Sequence, residues 1–176
     1  MGLPVLILGY SGSGKSASMR SFGAEEVSLV NVNGKPLPFR TKFKNVLNSD
    51  NYQQISEFIK SQNTKVIVID DTQYLMANEF MRRAKETGYQ KFTDIGKNFW
   101  ELVKLTETLP PDVVIYFMNH LFGQTFQPEN FRIAGFYRIH MDHQENAQFF
   151  RGIPFNFVNK LMRDHHIGIP GQFRMD

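Results

Sequence analysis

Eight consecutive residues near the N-terminus have the composition of a phosphate-binding loop. They follow the apolar run 3–8 and are Gly9, Tyr10, Ser11, Gly12, Ser13, Gly14, Lys15 and Ser16. Their order fits the pattern G-x-x-x-x-G-K-[ST], which requires a buried strand before it and a helix after it. Glycines let the backbone come close to a phosphate, and successive N–H groups then form a concave anion site at the start of the helix. We therefore expect these eight residues to bind a nucleoside triphosphate.

Lys15 and Ser16 have separate predicted roles within this loop. The Lys15 ammonium would reach the β- and γ-phosphates, and the Ser16 hydroxyl would take one position on Mg²⁺. The alternative is a glycine-rich turn that only joins a strand to a helix. The match at every fixed position of the pattern, together with suitable flanking sequence, favours nucleotide binding.

Two acidic residues follow the apolar run 66–69, which is the pattern of a Walker B strand. Asp70 stands where a carboxylate holds Mg²⁺, directly or through water, so we expect it to form the metal site together with Ser16. Asp71 stands where many ATPases with such a loop have a glutamate that polarises the attacking water. Because an aspartate is one methylene shorter, a structural or helix-capping role is the alternative for Asp71.

Three further polar residues are candidates near the γ-phosphate. Asn119 follows the apolar run 113–118, which we expect to form the strand next to the first one. From there its side chain could sense the γ-phosphate or orient water, and an ordinary turn asparagine is the alternative. Gln73 and His120 are weaker candidates for the same work. The catalytic residues predicted from the sequence are Lys15, Asp71 and Asn119.

The apolar runs alternate with amphipathic stretches along the chain. We predict strands over 3–8, 27–32, 66–69 and 113–118, and helices over about 15–22, 51–61, 75–86 and 93–109. Asp50 and Thr93 are the predicted N-caps of the second and the fourth of these helices. Strands that alternate with helices predict an α/β domain with three layers and a mostly parallel sheet.

The composition excludes some kinds of site and changes along the chain. Cysteine is absent from the 176 residues, which excludes disulfides, thiolate metal sites and cysteine nucleophiles. Ten of the eleven lysines precede His120, whereas all five histidines and nine of the seventeen phenylalanines lie from His120 onward. We therefore predict a core over 1–120, followed by a C-terminal segment, 121–176, whose structure the pattern leaves open and which could complete the core.

Charge and hydropathy bear on partners and location. The formal net charge of +3 permits a nucleic-acid partner without arguing for one. A basic cluster of Arg82, Arg83 and Lys85 could face nucleic acid or a neighbouring subunit, although a solvated helix face is the commoner explanation. The apolar runs are far shorter than a membrane span and the N-terminus has the pattern of a core strand, so we expect a cytoplasmic protein without a membrane partner.

Three segments, in this order and at this spacing, resemble the small phage-encoded AAA/RecA-like P-loop ATPases. They are GYSGSGKSASMR, VIVIDDTQYLMANEFMRR and KFTDIGKNFWELV, and the resemblance covers roughly residues 3–120. It implies a RecA-like core, binding of ATP and Mg²⁺, and a role in DNA metabolism or recombination in a bacterial host cell. The implied partners are single-stranded DNA or a phage recombination protein, and a homo-oligomer is left open.

Two other functions remain as alternatives to an ATPase. One is a non-catalytic module that uses ATP to set its shape while it binds DNA or another protein. The other is a phosphotransferase of the nucleotide-kinase type, which would need an arginine-rich lid over the phosphates. The sequence offers few arginines for such a lid, so this alternative is the weaker one.

Overall fold

A six-stranded sheet forms the centre of the fold in the computed structural model, which describes residues 1–40, 42–120 and 137–141, the last of these as backbone. The strands are β1 (Leu3–Gly9), β2 (Val27–Asn31), β3 (Asn45–Leu47), β4 (Val66–Asp70), β5 (Val114–His120) and β6 (Tyr137–Met141). Their spatial order is β3-β2-β4-β5-β1-β6, and every neighbouring pair is parallel. The helices are a 3-10 helix (Ser16–Ser21), α1 (Tyr52–Ser61), α2 (Gln73–Arg82), α3 (Gln90–Leu105) and a 3-10 turn (Thr106–Thr108).

Both faces of the sheet are covered, which explains the nearly continuous apolar strands. Successive side chains of a strand point to opposite faces, so Ile7 of β1 packs in the cluster that contains Met19 of the 3-10 helix. Its neighbour Leu8 packs in the cluster that contains Ile55 of α1 and Leu102 of α3. The prediction of an α/β fold with a parallel sheet flanked by helices is therefore confirmed, and the arrangement is compatible with three layers.

The strand that ends in Asn119 and His120 lies beside β1, as predicted. In the pairing of β5 with β1, Asn119 lies opposite Leu8 and His120 lies opposite Gly9. On its other side β5 pairs with β4, the strand that ends in Asp70. Because the strands are parallel, their carboxyl ends meet at one edge of the sheet, and the candidate residues of the site are gathered there.

The segment after the glycine-rich loop forms a 3-10 helix, where an α-helix over 15–22 is predicted. The N–H of Ser18 is shared between the carbonyls of Gly14 and Lys15, at 2.8 and 3.2 Å. The Ser18 hydroxyl also donates to the Lys15 carbonyl, at 2.5 Å. Serine hydroxyls that bond to nearby backbone compete with the regular α-helical ladder, which accounts for the tighter helix.

Asn51, and not Asp50, is the N-cap of α1, so the prediction of Asp50 is wrong. The Asn51 side chain accepts a hydrogen bond from the N–H of Gln54 at 3.1 Å. The Asp50 carboxylate instead accepts from Asn78 at 2.8 Å and from Arg82 at 2.7 Å, so it connects the start of α1 to α2.

The helix α3 begins at Gln90, so Thr93 lies inside its first turn and the prediction of Thr93 as N-cap is wrong. Bonds within and beyond the helix stabilise this extra turn. Gln90 donates to Asp94 at 3.0 Å, one turn later, and Arg83 donates to the same carboxylate at 2.9 Å.

The segment after residue 120 contributes β6, which pairs in parallel with β1. The rest of that segment, 121–136 and 142–176, lies outside the described residues, and most of the phenylalanine- and histidine-rich sequence lies there. Within the described part of the chain, no helix combines the length and the apolar composition needed to cross a membrane.

Candidate functional site

A pocket of about 280 Å³ opens at the carboxyl edge of the sheet. It lies where the loop after β1 meets the residues that end or follow β2, β4 and β5. Its lining consists of residues 12–17 and 35–38 together with Asp70, Asp71 and His120. The structure thus brings the glycine-rich loop together with both aspartates of the predicted site, which lie more than fifty residues further along the chain.

The conformation of the loop suits a bound anion. Gly12 and Gly14 have φ values of +78° and +89°, in the region that side chains with a Cβ rarely adopt. Lys15, which follows, is right-handed, with φ −49° and ψ −61°. Alternation between left- and right-handed residues turns successive N–H groups toward one side and forms an anion-binding concavity. The Ser13 hydroxyl oxygen is buried there without a partner among the described residues.

Lys15 is a buried cation at the base of the pocket, with 5% of its surface exposed. Its ammonium donates to the carbonyls of Gly9 and Tyr10, at 2.8 and 2.9 Å, and lies 3.4 Å from Nδ1 of His120. Burial lowers the pKa of Lys15, and the nearby carboxylates of the pocket oppose this effect. The ammonium is therefore held by neutral acceptors of its own loop, which a phosphate oxygen could replace.

Ser16 and Asp70 form the pair expected of a magnesium site. The Ser16 hydroxyl donates to Oδ2 of Asp70 at 2.7 Å, and the N–H of Asp71 donates to Oδ1 at 3.1 Å. Burial raises the pKa of Asp70, while the bond from Ser16 opposes that shift. Among residues 1–40 and 42–120, no three histidine, aspartate or glutamate side chains are grouped as metal ligands. Mg²⁺ commonly binds through one or two protein oxygens together with phosphate and water, and the Ser16–Asp70 pair fits that use.

Asp71 is the most heavily bonded side chain of the site. Its Oδ1 accepts from Nε2 of His120 at 2.8 Å and from Gln73 at 3.4 Å. Its Oδ2 accepts from Lys35 at 3.0 Å and from Asn33 at 3.3 Å. Burial raises the pKa of Asp71, but the hydrogen bonds from Lys35 and His120, together with the charge of Lys35, prevail and leave it lowered. The bond to Asp71 raises the pKa of Lys35 in turn, so both partners are held in their charged forms.

Some predicted site residues do not line the pocket. In β5, Asn119 alternates with His120, so the two side chains point to opposite faces of the sheet. It is His120 that faces the pocket, whereas Asn119 is not among its lining residues. Within the loop, Tyr10 contributes a carbonyl to Lys15, and Ser11 is exposed at the surface. The role predicted for Asn119 therefore stays a prediction without support from the pocket geometry.

Lys35 also lines the pocket, although no motif in the sequence marks it as a site residue. It lies just after β2 and reaches Asp71, although 36 positions separate the two residues. Its ammonium is also 5.0 Å from the centre of the Tyr74 ring. The sequence does contain one indication of this position. Lys35 follows a buried strand, and the carboxyl ends of parallel strands lie at one edge of the sheet, where the site is.

The basic cluster on and after α2 is largely neutralised by acidic neighbours. Arg82 forms an ion pair with Asp50 at 2.7 Å. Arg83 pairs with three carboxylates, those of Glu79, Glu86 and Asp94. Lys85 is exposed and has no ion pair within the described residues. The cluster therefore offers an anionic partner fewer free cations than its sequence indicates.

Comparison with known proteins gives no family for this chain. Neither the protein-family models nor the curated proteins compared with it produced a match. The interpretation of the pocket accordingly rests on the loop pattern, on the Ser16–Asp70 pair and on the parallel sheet that brings them together.

The loop conformation predicts that Gly14 does not tolerate a side chain. Alanine at φ +89° is strained, so we expect Gly14→Ala to lower the free energy of unfolding by about 1–3 kcal/mol. The matched control is Gly96→Ala in α3, where an added Cβ meets nothing within 4 Å. It should raise that free energy by about 0.5–1 kcal/mol. Urea unfolding of both variants checks this, and equal effects of the two substitutions would contradict the loop conformation.

Proposed function

We propose that this protein binds ATP with Mg²⁺ and hydrolyses it. The observation that carries the proposal is the bond of 2.7 Å between Ser16 and Asp70, which are 54 positions apart in the chain. This bond lies beside a loop whose glycines have positive φ and whose lysine is buried. Phosphoryl transfer requires a group of parts that this pocket contains: a hydroxyl, a carboxylate, an ammonium and a concave row of N–H groups.

Each of these groups has a definite part in the proposed reaction. The N–H groups of the loop and the ammonium of Lys15 would bind the phosphates, since charged oxygens are stronger acceptors than the carbonyls of Gly9 and Tyr10. Mg²⁺, held by Ser16 and Asp70, would neutralise charge on the β- and γ-oxygens. Catalysis would then come from positioning and from charge stabilisation by these groups.

The order of the strands supports the RecA-like interpretation. The resemblance to RecA-like ATPases places a strand with a polar end beside the strand of the phosphate loop. In the structure β5 has this position, between β1 and β4, and it ends in Asn119 and His120. A polar strand end thus lies between the loop and the residues that follow β4, where contact with the γ-phosphate is expected.

The pocket lining bears on the two alternatives. No arginine is among the described residues that line the pocket, so this part of the chain gives no support to a kinase-type lid. The cations present there are Lys15 and Lys35. A non-catalytic module would bind nucleotide with the same loop and the same Ser16–Asp70 pair. It would differ from an ATPase only in that it does not turn ATP over. Release of phosphate from ATP is therefore the measurement that separates them.

The role in DNA metabolism rests on the resemblance to phage ATPases. Arg82 and Arg83 are engaged in ion pairs with carboxylates of the same chain. Of the basic cluster, Lys85 remains as an exposed cation without a described ion pair. Any electrostatic contact with single-stranded DNA in this region should accordingly involve few phosphates.

We expect Lys15→Ala to weaken ATP binding at least tenfold, which is about 1.4 kcal/mol or more, and to abolish hydrolysis. The physical reason is the loss of the one buried ammonium among the described loop residues. The matched control is Lys97→Ala, which removes an exposed lysine of α3 that pairs with Glu101 and should leave ATP affinity unchanged. Calorimetric titration checks both variants, and unchanged affinity of Lys15→Ala would sink the assignment of the phosphate loop.

The DNA role predicts salt-dependent binding of single-stranded DNA in the presence of a non-hydrolysable ATP analogue. Affinity should fall with log salt at a slope of about −0.7 per neutralised phosphate. Lys85→Ala should flatten the slope by about one such contact, because its ammonium is free in the described structure. Fluorescence anisotropy at several salt concentrations measures this slope. A failure to bind DNA at low salt would instead favour a protein partner.

A further inference from the structure

His120 is fixed at the pocket by contacts on three sides. Its backbone lies opposite Gly9 in the sheet, and its N–H donates to the side-chain oxygen of Gln73 at 3.3 Å. Its ring lies between two charged groups of the pocket, with Nε2 at 2.8 Å from Oδ1 of Asp71 and Nδ1 at 3.4 Å from the Lys15 ammonium. An imidazole held in this way has one orientation.

The contacts of Lys15 determine which ring nitrogen carries the proton. An ammonium has three hydrogens and no acceptor. Lys15 has three acceptors within reach, which are the carbonyls of Gly9 and Tyr10 and the Nδ1 atom of His120. Nδ1 therefore presents its lone pair, and Nε2 carries the proton that it donates to Asp71. This tautomer has its basic nitrogen on the side of the phosphate loop.

The Asp71 carboxylate, by contrast, has no oxygen left for a water molecule. His120 and Gln73 donate to Oδ1, and Lys35 and Asn33 donate to Oδ2. A carboxylate that is engaged by four donors is well suited to orient its neighbours and poorly suited to take a proton from water. The arrangement resembles the aspartate–histidine part of a catalytic triad. There the aspartate sets the tautomer of the histidine, and the histidine accepts the proton.

We propose that His120 is the general base of ATP hydrolysis and that Asp71 is the positioning residue that holds it. This inference rests on the proposed function, because Lys15 must turn from Nδ1 to the phosphates before Nδ1 can act. The water oxygen then forms a bond to the γ-phosphorus, and the bond from that phosphorus to the β,γ-bridging oxygen breaks with its electron pair on ADP. The water proton passes to Nδ1, and Asp71 stabilises the imidazolium until the proton leaves to solvent.

His120→Ala in the full chain is the first variant that tests the proposal. We expect the affinity for a fluorescent ATP analogue to stay within about threefold, while kcat falls by about 10²–10⁴, as removal of a general base commonly causes. Added imidazole should restore at least tenfold of the lost rate, and pyrazole, which has the same size but is a much weaker base, should not. If His120→Ala proves unstable, His120→Gln keeps a hydrogen bond toward Asp71 but cannot accept the proton.

Asp71→Asn is the second variant that tests the proposal. The asparagine amide can donate a hydrogen bond to Nε2 of His120, which would move the ring proton to Nδ1. We expect kcat to fall about as far as in His120→Ala, without rescue by imidazole, and the double variant to be no worse than either single one.

Three results would overturn the inference. The first is an unchanged kcat in His120→Ala. The second is a loss of kcat that parallels an equal loss of ATP affinity, which would make His120 a phosphate ligand. The third is a loss of kcat that added imidazole does not restore. If the parent protein itself fails to bind ATP, the proposed function fails instead, so the two failures are distinguishable.

Discussion

The Asp71 carboxylate joins the carboxyl ends of three strands into one site. Asp71 follows β4, and its partners come from the segment after β2, from the first turn of α2 and from the end of β5. Its backbone is left-handed, with φ +60°, which costs on the order of 1 kcal/mol or more and persists only where the surroundings enforce it. The four bonds to its oxygens supply that enforcement. Asp71 therefore holds the side chains of both Lys35 and His120 at the pocket.

The other charged groups of the site are stabilised by neutral partners, and this arrangement suits a ligand. Lys15 is buried against carbonyls of its own loop, and Asp70 is buried against a serine hydroxyl. Burial disfavours the charged form of both groups, as the lowered pKa of Lys15 and the raised pKa of Asp70 indicate. A phosphate beside Lys15 and a divalent cation beside Asp70 would offset these costs together. The same two groups would then stabilise the folded protein more strongly when nucleotide is bound.

The sequence predicts the fold better than it predicts the details of the site. Apolar runs and a glycine-rich loop have local signatures, so the parallel strands and the adjacency of β5 to β1 could be predicted. The starts of the helices could not be predicted in the same way. Asn51 rather than Asp50 caps α1, because the Asp50 carboxylate accepts hydrogen bonds from Asn78 and Arg82 of α2. The place of Lys35 depends on a contact over 36 positions. Asn119 and His120 are adjacent in β5, so their side chains point to opposite faces of the sheet. A shift of one residue in the strand register would therefore exchange which of them faces the pocket.

The measurement that tests the central claim most directly is a calorimetric titration of the full chain with ATP, ADP and AMP in the presence of Mg²⁺. The loop, Lys15 and the Ser16–Asp70 pair line one pocket, and under the proposed function they would contact the β- and γ-phosphates rather than the nucleoside. Affinity should therefore be at least tenfold weaker, which is about 1.4 kcal/mol, for AMP than for ATP. Equal affinity for the three nucleotides, or no binding of ATP, would contradict the account.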